Sequence, residues 1–341
     1  MKKKKIVYEL IVFLFLLIIT YIVIFKNNNP YEMWEDIKSI KSIYLILALC
    51  AMPFFIMFEG LNIGYSLELF NYKLSFWKKI KYALVGFFFS SISPGSVAGQ
   101  PMQLYYMHND KIKFSHATLA LLIELTCYLF IQDLLAIIGY IYDHSLFVTT
   151  LGNYKIIIAI GIIMNILYIV LLLILIFGKK ATKTIMNIVN KINLKLHKKQ
   201  TKFNEWLNNN LDDFQKSSII IKRNPKTIIK IIILTLSKFI LANSIPFFIY
   251  LGFGLNGYDY MTIMFLEGVL DITTKIIPIP GAIGIKESGF VLLFKTIFPE
   301  DILHCAMLIS RFASFYFYLL LSGIILGIHY LIKRGKRENE N

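Results

Sequence analysis

Apolar runs long enough to cross a bilayer recur along this 341-residue chain, at 6–25, 42–63, 115–141, 154–178, 227–253 and 303–331. The yardstick is the ~20 residues that a hydrocarbon core requires of a helix. With 57% hydrophobic and 17% charged residues, the sequence holds more apolar surface than a soluble fold buries, so the bilayer is its solvent. Inside lipid a backbone must satisfy its own polar groups, and runs of this length do so as helices. The expected fold is all-α: a polytopic integral membrane bundle of six full spans, one membrane domain over residues 1–341.

Two further apolar regions, 80–107 and 259–298, are broken midway by Pro94-Gly95 and by Pro278-Ile279-Pro280-Gly281. Proline removes an amide donor and glycine admits conformations that end helices, so each half is too short to cross. Lysine and arginine set the sides under the positive-inside rule. Residues 1–5 carry four, 64–81 four, 108–113 two, 179–226 twelve and 332–341 four. Segment 26–41 carries three against Glu32, Glu35 and Asp36, while 142–153, 255–259 and 299–302 carry none. Both termini are therefore expected in the cytoplasm of a cytoplasmic-membrane protein. This requires 80–107 to return to the inner side and 259–298 to the outer side, unless each crosses twice. The mid-run breaks favour re-entrant hairpins, and irregular backbone at membrane depth implies a water-filled cavity to receive it.

The broken regions echo one another. Ser93-Pro94-Gly95-Ser96-Val97-Ala98-Gly99 is followed by Ile279-Pro280-Gly281-Ala282-Ile283-Gly284, and the spans after them align His116 to Glu124 with His304 to Arg311. Pro94 to Glu124 is 30 positions, and Pro280 to Arg311 is 31. Units 80–141 and 259–331, entering from opposite faces, would form an inverted repeat, a plan that places a binding site at the midplane.

Ionisable residues within spans are costly unless paired or wet, which makes them functional candidates. Glu124 lies about ten residues into its span, ~15 Å deep at the helical rise, and Arg311 is comparably deep from the other face. Either they serve transport or they pair to lock the repeats together. Asp271, Lys275, Lys286 and Glu287 crowd the second break, with Glu267 one turn from Asp271. Lys286-Glu287 opens a half-helix whose free amides would favour an anionic group, although lysines there also snorkel to an interface. In the first break Gln100, Gln103, Ser90, Ser91 and Ser93 supply hydrogen-bonding groups. Gly95 and Gly99 form a G-x-x-x-G spacing that serves close packing or ligand approach. Glu9, Glu59 and Gln132-Asp133 are lesser polar points.

Outside the spans, 179–226 places Ile185, Ile188, Val189, Ile192 and Leu196 at helical spacing among lysines, which reads as an amphipathic helix on an anionic leaflet or as a solvated linker. Lys2 to Lys5 ahead of an apolar run to Phe25 resembles a secretory signal without a small-residue cleavage site, hence a retained anchor helix. Cys50, Cys127 and Cys305 lie singly in apolar surroundings, neither a disulfide framework nor a metal set. The net charge of +15 is spread by loop, so topology accounts for it better than nucleic acid. Gly252-Phe253-Gly254-Leu255-Asn256-Gly257 fits G-x-G-x-x-G only formally, for no strand precedes it. Walker A, H-E-x-x-H and G-x-S-x-G sequences are absent. No cofactor and no metal are expected.

Ser93 through Gly99-Gln100-Pro101-Met102-Gln103, Pro278 through Gly284-Ile285-Lys286-Glu287, and Arg311 resemble the lysylphosphatidylglycerol synthase transmembrane region family, also called the flippase-like domain family. The resemblance implies two re-entrant elements around a lipid-accessible cavity and translocation of a lipid such as aminoacylated phosphatidylglycerol. It carries functional roles onto Gln100, Gln103, Glu287 and Arg311, while Glu124 rests on the internal repeat. Longer members add a cytosolic domain that transfers lysine to phosphatidylglycerol. This chain is expected to be a stand-alone form without it, with membrane lipids as partners and either a homo-oligomer or a separate cytosolic transferase as the protein partner. The competing expectation is a membrane-embedded transferase or a lysyltransferase-related membrane subunit.

Overall fold

A computed structural model describes residues 30–152, 155–180, 182–184, 201–274 and 279–339, and among these the chain is helical throughout with no strand. Five helical segments are long and apolar enough to cross a membrane. They are α2 (Ser42–Glu68), α5 (Phe114–Tyr142), α7 (Lys155–Phe177), the pair α9 (Pro225–Asn243) and α10 (Ile245–Gly252), and the pair α13 (Glu300–Arg311) and α14 (Phe317–Asn339). Each coincides with an expected span. The sixth, 6–25, lies outside the described residues. α1 (Pro30–Ser39) and α6 (His144–Leu151) are short connectors.

Both paired spans change course midway. Between α9 and α10, Ser244 precedes Pro246, whose ring cannot continue the amide ladder. Between α13 and α14 lies a π turn, Phe312–Tyr316, one residue wider than an α turn. The outward surfaces are apolar: Ile156, Ile160, Ile163, Leu167, Leu171 and Ile174 of α7 are all exposed, a facing suited to lipid and not to water.

The two broken regions form antiparallel helical hairpins. In the first, α3 (Phe76–Ile92) and α4 (Gly99–Asn109) flank the turn Pro94–Ser96. Gly99 packs on Ser90, Gln103 lies over Gly86, and at the base Lys81 and Tyr82 hold Asp110, so both arms end at one level. In the second, α11 (Tyr260–Thr274) and α12 (Ile285–Phe294) flank Pro280–Ala282. Here Gly289 meets Leu270, and Tyr258 Oη donates to the Thr296 carbonyl at the base, 2.9 Å. The tips of the hairpins touch.

Loop contacts sort to two ends. At one, Lys79 pairs with Glu68 (3.0 Å), Lys113 with Asp213 (3.1 Å), and Lys222 lies 4.8 Å over the Phe177 ring. At the other, the Lys41 amide bonds Gly252, and Tyr142 Oη donates to Asp259, both at 3.1 Å. These are the two sets of loops that the charge count separates. The expectation for 179–226 is only partly met: residues 185–196 lie outside the described residues, and α8 (Thr201–Lys222) is packed on protein. Leu211, Phe214 and Ile221 are buried, and Phe214 and Ile221 pack with Phe70, Leu119, Ile123 and Ile176. That three-to-four-residue stripe of α8 is satisfied by bundle helices.

Candidate functional site at the hairpin tips

The two tips share one backbone solution. Gly95 and Ser96 have φ of 60° and 58°, and Gly281 and Ala282 have 60° and 51°. A pair of left-handed residues after a proline reverses the chain in minimal length. Side chains disfavour that region, so Ser96 and Ala282 hold it because their surroundings do. At the first tip Ser93 Oγ accepts from the Ala98 amide at 3.0 Å, a bond across the turn. A Cβ on Gly99 would stand 2.0 Å from Ser90 Oγ, so the G-x-x-x-G spacing brings the arms together. At the second tip a Cβ on Gly281 would meet Phe315 Cζ at 2.4 Å.

Arg311 anchors the second tip from behind. Its Nε donates to Glu287 Oε1 (2.6 Å) and its Nη2 to the Gly281 carbonyl (3.0 Å), and the guanidinium stacks 4.5 Å over Phe315. Tyr316 Oη donates to the same Glu287 oxygen at 2.7 Å, and Glu287 Oε2 accepts from the Gly284 amide at 2.6 Å. Both charged side chains are buried, at 4% and 2% exposure. The α12 N-terminus is therefore not an open anion site: Glu287, in its own first turn, occupies it, as a residue three positions after a cap commonly does. Lys286 turns to α11, 2.9 Å from Glu267 and 2.5 Å from Asp271. Lys275 and Pro278 lie outside the described residues.

Glu124 and Arg311 do not pair. Glu124 is 2.6 Å from Lys238 of α9, which also bonds Glu59 of α2. Lys238 is 1% exposed and lies 5.0 Å from the Tyr128 ring centre. Sequence reasoning passed over Lys238 and ranked Glu59 low, although a lysine midway along the run 227–253, further from its end than Lys230, is itself the signal of an intramembrane ion pair. Gln103 is buried and donates to the Tyr82 carbonyl at 3.0 Å, a bond between the hairpin arms, whereas Gln100 is half-buried beside the tip.

The expected midplane cavity takes a different form. Pro94, Gly95, Ser96 and Val97 are exposed, and so is Ile279 across from them, so the tips lie open while the Arg311–Glu287 pair behind them is buried. Two hollows, of about 370 Å³ along Val170–Gly178 and about 410 Å³ at Lys111, Lys113 and Asp213, lie away from the tips. Among the described residues no group of three His, Cys, Asp or Glu side chains is placed to hold a metal.

Residues 6–322 match the family model described as "Lysylphosphatidylglycerol synthase TM region". The chain belongs to that family. A curated relative described as "UPF0104 membrane protein", from Archaeoglobus fulgidus, is 21% identical over 298 residues, covering 82% of this chain and 85% of its own length. The match runs through both hairpins and four of the five described spans and ends within the last.

Proposed function

We propose that the protein moves a phospholipid or lipid-linked molecule, such as an aminoacylated phosphatidylglycerol, across the cytoplasmic membrane. The observation that carries this reading is the meeting of two Pro-Gly hairpin tips, open at the surface and backed by buried ion pairs. In this reading both hairpins are re-entrant, units 80–141 and 259–331 are inverted repeats, and the basic end with both termini faces the cytoplasm. A head group passes along Pro94–Val97 and Gln100 while the acyl tails remain in the bilayer. When the second tip shifts, Arg311 exchanges Glu287 for the lipid phosphate, an oxyanion that a guanidinium binds in the same forked geometry. Asp271 and Lys286 set the tip's resting position.

Reconstitution into liposomes with labelled anionic lipids tests this: labelled lipid should cross faster than in protein-free vesicles. Equal rates across several head groups would remove the reading. The family's description as part of a synthase supports a second reading, a membrane subunit serving a separate cytosolic transferase. Copurification of such a protein, with lysine transfer to phosphatidylglycerol in the mixture, would favour it.

A further inference from the structure

A file of buried and half-buried polar groups runs lengthwise between α2, α5, α9 and α11. Ser66, Asn62 and Glu59 follow one another on α2 at intervals of about a turn, and Asn62 Nδ2 donates to Thr235 Oγ1 at 3.0 Å, one turn from Lys238. Glu59, Lys238 and Glu124 come next. Tyr128, a turn beyond Glu124, is within electrostatic reach of Glu59, Glu124 and Asp271. Asp271, Lys286 and Glu267 continue the file. Asn243 then lies against Gly268, and Ser244 Oγ is 2.7 Å from Tyr260 Oη toward the far end.

Two independent features of this file point to one ligand. The first is charge. Glu59 and Glu124 share the single ammonium of Lys238. The other titratable groups facing them are Cys127 and Tyr128 from α5 and Asp271 from α11, while Lys79 of α3 is engaged with Glu68 nearer the basic end. Two carboxylates and one ammonium leave a negative charge that a dry interior does not hold. One added proton balances it. Next to it, among the described residues, Glu267 and Asp271 share Lys286, and Glu287 pairs with Arg311. The second feature is unmet hydrogen bonding. Among the described residues, Asn62 Oδ1, Ser66 Oγ, Asn243 Oδ1 and Glu267 Oε2 are buried without a protein partner, and such atoms are ordinarily satisfied by internal water. Waters strung between carboxyl, hydroxyl and amide groups give a proton its path.

We propose that Glu59, Lys238 and Glu124 form a proton-binding site on this file, and that lipid movement is coupled to a proton entering from one end and leaving at the other. On uptake an O–H bond of a hydrated proton breaks as one forms at a carboxylate oxygen, and on release that bond breaks as one forms on water, with no change in oxidation state. The coupling rests on the lipid-translocation reading; the proton site does not.

Infrared difference spectroscopy of the purified protein, stepped in pH, reads the site directly. We expect a protonated-carboxyl band that titrates, is lost in Glu59→Gln or Glu124→Gln, and shifts in Glu59→Asp, which retains the acid should the amide variant fail to fold. A titrating band unaltered by all three variants, or no band in the parent, overturns the site. In liposomes, an imposed pH gradient should change the lipid translocation rate severalfold. Lipid movement indifferent to the gradient overturns the coupling and leaves translocation standing. A titrating band with no lipid movement leaves the proton site standing and removes the lipid reading.

Discussion

Arg311 ties the second hairpin to the last span: it touches the Glu287 carboxylate and the Gly281 carbonyl of the hairpin and the Phe315 ring of the π turn. Removing one member of a buried pair strands the other, at a typical cost of roughly 3–5 kcal/mol. Arg311→Ala should therefore lower the thermal midpoint of the detergent-purified protein sharply. The double change Arg311→Met with Glu287→Met should recover much of the loss. A single variant as stable as the parent would show that the pair holds nothing. Glycine offers a paired test. Gly281 has φ +60° and the Phe315 ring where a Cβ would go, while Gly254 has φ +78° and open space. Both alanine variants incur the left-handed strain of about 1–2 kcal/mol, but Gly281→Ala adds a clash and should lose clearly more stability than Gly254→Ala. At this scale the sequence was partly legible. Glu124, Asp271, Lys286, Glu287 and Arg311 were found as ionisable residues among apolar ones. Their partners were not, because a sequence shows depth along a helix and leaves open which neighbour it faces. Lys238 was missed for the converse reason: its run holds no acidic residue, so it had no evident counter-charge.

Each hairpin is closed at its base and capped at its tip. At the first base Asp110 accepts from Lys81 (2.5 Å) and Tyr82 (2.8 Å). Burial pushes its carboxyl upward, but those hydrogen bonds and the charges of Lys81 and Lys78 outweigh it and hold the group below the usual 3.8. A depressed carboxylate contributes stability that is present at neutral pH and is lost as pH falls through that range to the lower folded value. Hydrogen exchange in α3 and α4 should accelerate on acidification through this window, and Asp110→Asn should exchange faster at neutral pH and lack the acid step. At the tip, Ser93→Ala removes the acceptor of the Ala98 amide, a hydrogen bond worth ~1 kcal/mol. Helix positions and breaks were legible, since length, hydropathy and proline act locally. The fate of α8 was not: its apolar stripe fits a lipid surface as well as a helix groove, and only tertiary packing decides between them.

For the whole molecule, the sorting of loops to two ends yields a sidedness test. In a background lacking Cys50, Cys127 and Cys305, Lys73→Cys and His108→Cys should react with an impermeant thiol reagent only after permeabilisation. Asn256→Cys and Glu300→Cys should react in intact cells. Opposite accessibility of positions 73 and 108 would mean that the first region crosses the membrane and does not return. A different feature acts across the whole C-terminal part. In an ordinary helix, residues five apart point ~140° away from each other, yet Arg311 and Tyr316 both reach one oxygen of Glu287 because the π turn between them holds an extra residue. Deleting one residue from 312–316 would restore a regular amide ladder, and the helix as a helix would gain. It would also rotate everything from Phe317 onward by ~100°, carrying Tyr318 away from the Leu49 carbonyl and Gly323 away from Phe88. The irregular turn thus works as a phase setting for the 23 residues beyond it, and a repair of local geometry there would mis-time the last helix against the rest of the bundle.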